Sequence, residues 1–150
     1  SEERSLRALA RELGVADRVV WEPRCKPSEV GVYYKLADVF ATVSRTRPED
    51  DTYETFGLVY AEANLCGTAV VGGREAGVPE AVVEGETGLL VPPEDGRALE
   101  EALITLLQDE PRRRRMGAAG RARVLEHFTW DRAARETTAI LRAAAATRGG

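Results

Sequence analysis

The sequence predicts an α/β fold in which a parallel β-sheet is covered by helices on both faces. Short apolar runs alternate with amphipathic helical patterns along the chain. Each run is continuously apolar, which is typical of parallel strands buried on both sides. The length of 150 residues is that of one ordinary domain. We therefore expect a single domain over residues 1–150.

Four apolar runs are the predicted strands, and most of them end at a proline or a glycine. They are Val19–Trp21, Val39–Val43, Ala69–Val71 and Leu89–Val91. Helical patterns fill the intervals, because apolar residues recur there at spacings of three and four. The predicted helices cover residues 2–13, a segment capped by Ser28, Gly57–Leu65, Val78–Val83, a segment capped by Asp95, one beginning near Pro111 and one capped by Thr129.

Two of these helices carry an expectation about packing. On the helix after Ser28 we expect Val32 or Tyr33, together with Leu36, to face the interior. On the last helix we expect Trp130 to be the anchor in the core.

The composition argues against several classes of protein and several kinds of catalytic site. The 21 basic and 25 acidic residues leave a net charge of -4, which argues against a nucleic-acid-binding protein. No apolar run approaches the roughly 20 residues of a membrane span, and the N-terminal residues do not resemble a signal peptide. Cys25 and Cys66 are expected to be buried free thiols in a reducing, cytoplasmic compartment. The single histidine, His127, makes a Ser-His-Asp triad or a multi-histidine zinc site improbable.

The segment from Glu54 to Ala63 carries the chemistry. Gly57 opens a helix after a loop, and the unpaired amides of a first helical turn attract anions such as phosphate. Glu62 lies roughly 6 to 8 Å further along the helix axis, where it is placed to accept hydrogen bonds from ribose hydroxyls. Glu54 lies on the other side of the phosphates. The spacing suits a nucleoside diphosphate joined to a hydroxyl-rich group, although a Glu early in a helix also interacts favourably with the helix dipole in ordinary packed helices.

Several blocks agree in order and spacing with one known family. Glu54 and Glu62 form E-x(7)-E around F-G-L, and the sequence resembles the C-terminal half of a GT-B retaining glycosyltransferase that uses nucleotide-sugar donors. The supporting blocks are Tyr34 to Thr42 (Y-K-L-A-D-V-F-A-T), Ala76 to Glu80 (A-G-V-P-E, similar to G-G-x-P-E), Gly85 to Asp95 and Phe128 to Trp130.

The resemblance implies a Rossmann-like donor-binding domain whose acceptor is bound largely by a separate N-terminal domain. Glu54 is then the catalytic residue that contacts the donor sugar, and Glu62 binds the ribose. The other donor-binding residues it implies are the phosphate-contacting amides of Gly57 and Leu58, Phe56 beside them, and Arg24 and Lys26 near the base. It also implies that no metal ion or other cofactor is required, since helix amides and basic side chains stabilise the leaving diphosphate.

The sequence departs from the family pattern in three places. An insertion separates Ser44 from Glu54, and its acidic residues Glu49, Asp50 and Asp51 form either a metal site or, as we prefer, a solvated loop. Trp21 to Arg24 replace the usual glycine after the first predicted strand, which weakens the expected base site. The first two strands of the family's C-terminal domain are missing, so we expect part of a longer enzyme that is inactive alone.

The incomplete sheet and the basic run raise two further expectations about partners. With its central strands missing, the sheet is expected to pair its first strand with its second or to associate with a partner chain. Arg112 to Arg115 indicate either peripheral contact with an anionic membrane or, as we prefer, a solvated helix face.

Two alternative functions remain open. One is a non-catalytic Rossmann-like interaction module with a relic motif. The other is a different GT-B activity, such as sucrose or trehalose metabolism or nucleotide-sugar epimerisation.

Overall fold

The computed structural model describes residues 2–22, 24–44 and 56–147. The chain divides into two compact units, Ser1–Val30 and Gly31–Gly150, which are described separately below. The elements in chain order are α1 (Glu2–Glu12), a 3-10 turn (Ala16–Arg18), α2 (Val30–Leu36), β1 (Val39–Thr42), α3 (Leu58–Leu65), β2 (Ala69–Gly73), α4 (Val78–Ala81), β3 (Gly88–Val91), α5 (Gly96–Gln108), α6 (Glu110–His127) and α7 (Trp130–Thr147). The expectation of a single domain stays a prediction.

The first unit contains α1 and an irregular segment. The Arg7 guanidinium lies over the Trp21 ring, 4.8 Å from its centroid. The predicted strand Val19–Trp21 is wrong: these residues form no strand, and Val20 is 90% exposed. A strand requires a neighbour for its backbone N–H and C=O groups, and the described residues of this unit contain no other strand. The expected burial of Cys25 is also wrong, because this thiol lies in the exposed segment that follows.

The second unit is built on a parallel sheet with strand order β1-β2-β3. Val39 is paired with Ala69, and Val71 with Leu89. All five residues of β2 are buried, as expected of a central strand made of a continuous apolar run. The predicted strands at positions 39, 69 and 89 and the parallel arrangement are confirmed.

Helices cover both faces of this sheet, as the sequence predicts. On one face, residues from β2, β3, α5 and α6 form a buried cluster: Ala69, Val71, Leu89, Val91, Ala102, Leu106 and Met116. On the other face, a Cβ added to Gly72 would lie 3.0 Å from Tyr60 of α3 and 3.0 Å from Val78 of α4. Alternation along β2 therefore sends successive residues to opposite helical layers.

The packing of α2 differs from the sequence prediction. Val32, Tyr33 and Leu36 are exposed, whereas Tyr34 is only 8% exposed. Contacts on both its backbone and its ring hold Tyr34 inward: the Thr68 hydroxyl donates to the Tyr34 carbonyl at 2.6 Å, and the Tyr34 ring meets Phe40 edge-on at 5.2 Å. The apolar pattern of a seven-residue helix was too short to determine which face is covered.

The last helix begins as predicted but packs differently. The Arg132 amide donates to the Thr129 hydroxyl at 3.3 Å, which is the expected cap. Trp130 is 91% exposed, so its prediction as a core anchor is wrong. Phe128, two residues earlier, packs inward instead, with its ring 5.2 Å from that of Phe56. Within the described ranges, no helix combines the length and apolar composition that a membrane span requires.

Candidate functional site

The predicted site lies where β1 and β2 end. The carboxyl ends of parallel strands share one edge of the sheet, and ligands of open α/β sheets bind beyond that edge. Here the carboxyl ends of β1 and β2 are close to each other, since a Cβ added to Gly73 would lie 3.3 Å from the Ser44 carbonyl oxygen. The hydroxyl of Tyr60 donates to the Thr42 carbonyl at 2.7 Å. This bond fixes the first turn of α3 against the end of β1.

Gly57 begins α3 in a conformation that favours glycine. Its φ is 73°, in the left-handed region, and no side chain caps the helix at this position. A Cβ here would lie 2.5 Å from the Tyr60 ring. The first amides of an α-helix lack intrahelical acceptors, and the helix dipole makes that end partly positive. The start of α3 is therefore suited to a negatively charged ligand group.

Glu62 lies on the same exposed face of α3 as Leu58, the first residue of the helix. The buried residues of this helix are Tyr60, Ala61, Ala63 and Asn64, whereas Leu58, Glu62 and Leu65 are exposed. Leu58 and Glu62 are four residues apart, which corresponds to roughly 6 Å along the axis. The anion-attracting amides and a carboxylate thus lie one turn apart on a face open to solvent.

The Glu62 carboxylate is held by a tyrosine from another helix. The Tyr34 hydroxyl donates to Glu62 Oε2 at 3.0 Å. In the described part of the chain, no other side chain bonds to this carboxylate, so Oε1 has no protein partner. Neither Tyr34 nor this bond was predicted from the sequence. The Tyr34-to-Thr42 block contained the residue, but it gave no indication of the direction of the side chain.

Phe56 connects the start of α3 to the C-terminal helices. Its ring packs edge-on against Phe128, and the Arg123 guanidinium lies 5.3 Å from the Phe128 ring centroid. Arg123 also donates to the Glu80 carbonyl at 3.1 Å. The chain therefore enters α3 from a position fixed by α4 and α6. The contact between Phe56 and Phe128 could not be inferred from their sequence separation.

The loop after β2 carries a basic residue that is already engaged. Arg74 Nη2 lies 2.7 Å from Glu84 Oε2 and donates to the Leu90 carbonyl at 3.0 Å. Its charge is therefore directed toward β3. Ala76, two residues further, has φ 48°. This is a left-handed conformation that is unfavourable for a residue with a Cβ, at the position where the resembling motif has glycine.

The structure brings some of the predicted site residues together. Gly57, Leu58, Phe56 and Glu62 form the first two turns of α3 and its entry. Arg24 and Lys26 belong to the first unit, where both are exposed and Lys26 Nζ lies 3.5 Å from Glu29 Oε1.

Two other predicted features involve acidic residues. Glu54, predicted as catalytic, and the acidic run Glu49 to Asp51 lie outside the described residues. Among the residues that are described, no three His, Cys, Asp or Glu side chains are grouped to hold a metal ion.

Comparison with known proteins identifies the family. The family described as glycosyl transferases group 1 matches residues 1–123 of the chain. The chain belongs to the glycosyl transferases group 1 family. It is 41% identical over 126 residues to the GDP-mannose-dependent alpha-(1-6)-phosphatidylinositol monomannoside mannosyltransferase of Mycolicibacterium smegmatis, an alignment that covers 84% of this chain and 33% of that relative.

Solved structures of GT-B glycosyltransferases share the fold of this group 1 chain. Sucrose-phosphate synthase from Thermosynechococcus elongatus matches with a TM-score of 0.80 and 35% identity, covering 97% of this chain and 35% of that one. HepE of Anabaena, solved with UDP and glucose, matches with a TM-score of 0.80 and 23% identity, covering 93% and 36%. The resemblance inferred from the motifs is confirmed. The chain spans about a third of the length of these relatives.

Proposed function

We propose that this chain is the donor-binding part of a retaining glycosyltransferase, which moves a sugar from a nucleoside-diphosphate sugar to an acceptor. The observation that carries the proposal is the start of α3. There, first-turn amides that Gly57 has no side chain to cap lie one turn from the exposed Glu62 carboxylate, at the carboxyl edge of the sheet. Membership of the glycosyl transferases group 1 family supports the same conclusion.

The proposed roles follow from the charges that change during transfer. The bond between the sugar C1 and the diphosphate oxygen breaks, and negative charge builds on the diphosphate. The amides of Gly57 and Leu58 and the α3 dipole stabilise that charge as it develops. Glu62 accepts hydrogen bonds from the ribose hydroxyls, which holds the donor in register with the amides. Glu54 contacts the donor sugar in this proposal, and the acceptor attacks C1 with retention through an oxocarbenium-like transition state.

We further propose that no metal ion is required. What supports this is the arrangement of fixed dipoles at the start of α3, which supplies the positive potential that a divalent cation provides in other phosphate sites. We also propose that Arg24 and Lys26 lie near the base, as the resemblance implies.

The contacts of the basic run favour a structural role over membrane contact. Arg113 donates to the Leu106 carbonyl at 2.9 Å and lies 2.9 Å from Asp38, and Arg114 pairs with Glu110. These contacts neutralise part of the positive charge of Arg112 to Arg115. We therefore do not extend the proposal to a lipid surface. Separately, we propose a cytoplasmic location, as expected from the sequence.

We propose that the isolated chain transfers no sugar and that it associates with a second copy of itself. Acceptor contacts are expected in the part of the relatives that this chain does not span, since the chain covers 33% of the mannosyltransferase. Among the described residues β1 is paired on one side only, with β2, and Ala41 in its middle is exposed. An edge of this kind is a template for pairing.

The function is tested by an NMR titration of the chain with UDP, GDP and ADP at millimolar concentrations. UDP and GDP are the main probes, because HepE was solved with UDP and the mannosyltransferase is named for GDP-mannose. We expect shifts that cluster at Gly57, Leu58 and Glu62 and that disappear in Glu62→Ala. Glu100→Ala, which removes an exposed carboxylate from α5, is the matched control and keeps the shifts.

The same titration distinguishes the alternatives. A well-folded spectrum that responds to none of the three nucleotides contradicts the proposal and favours an interaction module with a relic motif. Shifts that persist in Glu62→Ala contradict the assignment of the ribose-binding residue. A different GT-B activity shares the donor site, so acceptor screening of the complete enzyme distinguishes it.

A further inference from the structure

We propose that Tyr34 is a positioning residue for the donor ribose, acting through Glu62. Its hydroxyl holds one carboxylate oxygen, so that the other is presented to the ribose in a fixed direction. The inference rests on the proposed function, since it assumes that Glu62 binds a ribose, and it adds a residue on a different helix to that site.

The Tyr34 hydroxyl is fixed more firmly than the carboxylate that it contacts. The ring is buried and packs edge-on against Phe40, with an interplanar angle of 84°. The carbonyl of Tyr34 accepts a hydrogen bond of 2.6 Å from the buried Thr68 hydroxyl. Both the ring and the backbone of this residue are therefore anchored, so the hydroxyl has little freedom to move.

Glu62 depends on such an anchor because it is exposed. A glutamate side chain samples many rotamers in solvent, and ordering it on binding is unfavourable. The bond of 3.0 Å from Tyr34 to Oε2 selects one orientation before the ligand arrives. Preorganisation of this kind raises affinity by lowering the ordering cost of binding.

The hydrogen bond between Tyr34 and Glu62 leaves the second carboxylate oxygen available to a ligand. A tyrosine hydroxyl donates one hydrogen bond, whereas an ionised carboxylate accepts several through two oxygens. With Oε2 engaged by Tyr34, Oε1 keeps its full acceptor capacity, since no other side chain in the described part of the chain bonds to it. The neighbouring hydroxyls of a ribose are both donors. The arrangement is therefore complementary to a ribose and not to a group that only accepts hydrogen bonds.

The test uses Tyr34→Phe, which keeps the packed ring and removes only the hydroxyl. Dissociation constants are measured by NMR for UDP and GDP and for their 2′,3′-dideoxy analogues, in the wild type, Tyr34→Phe, Glu62→Gln and the double variant. We expect Tyr34→Phe to weaken binding of UDP or GDP by about 3- to 10-fold. Binding of the dideoxy analogues stays unchanged, because they lack the hydroxyls that Glu62 binds.

The double variant provides the second readout. If Tyr34 acts through Glu62, Tyr34→Phe weakens binding less in the Glu62→Gln background than in the wild type, since the loss of the anchor then affects an amide that no longer carries the carboxylate charge. Thr138→Val, which also removes one hydroxyl but from an exposed position on α7, is the control and leaves all constants unchanged.

Two outcomes would overturn the inference while leaving the proposed function standing. One is wild-type affinity in Tyr34→Phe combined with weaker binding in Glu62→Gln. The other is an equal loss for ribose and dideoxy ligands in Tyr34→Phe, which would indicate a purely structural role. If Glu62→Gln itself does not weaken binding, the ribose role of Glu62 fails and the inference fails with it.

Discussion

Gly57 shows how a single residue connects the fold to the site. The buried Tyr60 ring occupies the space that a side chain at position 57 would need, and its hydroxyl bonds to the end of β1. The same contact that holds α3 in place therefore excludes a side chain from its N-terminus. Glycine at this position has no side chain with which to cap the amides that follow it.

Gly57→Ala is expected to destabilise the chain. A residue with a Cβ costs about 1–2 kcal/mol in the left-handed conformation, and the contact with Tyr60 adds to this. Urea unfolding measures the change.

Gly96→Ala is the matched control, since Gly96 also begins a helix but has no atom within 4 Å of the added Cβ. We expect this control to unfold at or slightly above the wild-type midpoint. Equal midpoints for both alanine variants would contradict the role assigned to Gly57.

Helices α3 and α6 pack closely against each other. The end of α3 forms a Schellman turn, in which the Thr68 amide donates to the Ala63 carbonyl at 3.1 Å and the Gly67 amide to the Asn64 carbonyl at 2.8 Å. Helix α6 passes directly over this turn, since a Cβ added to Gly117 would lie 1.9 Å from the Gly67 carbonyl oxygen. The helix that carries Glu62 is therefore held at its C-terminal end by α6.

Gly117→Ala is expected to be among the most damaging single changes in the chain. The added methyl group meets backbone rather than a flexible side chain, so we expect a loss at or above the upper end of overpacking effects, about 3 kcal/mol. Chemical unfolding of the variant measures this loss.

Gly31→Ala provides the comparison, because Gly31 lies within α2 with open space around it. Alanine there should stabilise the chain by up to about 1 kcal/mol. A Gly117→Ala variant as stable as the wild type would show that α6 moves freely over the turn.

Features that depend on residues close in sequence could be predicted, whereas features that depend on distant residues could not. The caps at Asp95 and Thr129 were predictable, because a cap involves residues three positions apart. The burial of Tyr34 and the exposure of Trp130 depend on what packs against each helix, and this is absent from local periodicity.

The same contrast between near and distant residues applies to the candidate site. The start of α3 and Glu62 were predictable from spacing within one helix. The bond from Tyr34 joins residues 28 positions apart and was not.

At the scale of the whole molecule, the two edges of the sheet differ. Along the outer edge of β3, the Leu90 amide donates to Glu84 Oε2 at 2.8 Å, its carbonyl accepts from Arg74, and the Gly88 carbonyl accepts from the Gly85 amide. Side chains and a turn thus occupy several of the backbone groups that an added strand would need. In the part of the chain that the structure describes, β1 has a paired strand on one side only.

The proposed self-association is therefore expected at β1. Light scattering of the purified chain should report a species of twice the monomer mass. Ala41→Lys, which places a charge at the exposed middle of β1, should restore the monomer. Glu100→Lys on α5 adds the same charge elsewhere and should leave the association unchanged. A strictly monomeric wild-type chain would contradict the proposal.

The closed edge at β3 has a consequence for how far such association can proceed. In the terms of polymer chemistry, a unit needs two reactive ends to lengthen a chain, and a unit with one reactive end stops growth after a single coupling step. Arg74 and Glu84 remove one of the two ends of this sheet. If chains pair through β1 as proposed, we therefore expect discrete pairs rather than open-ended growth.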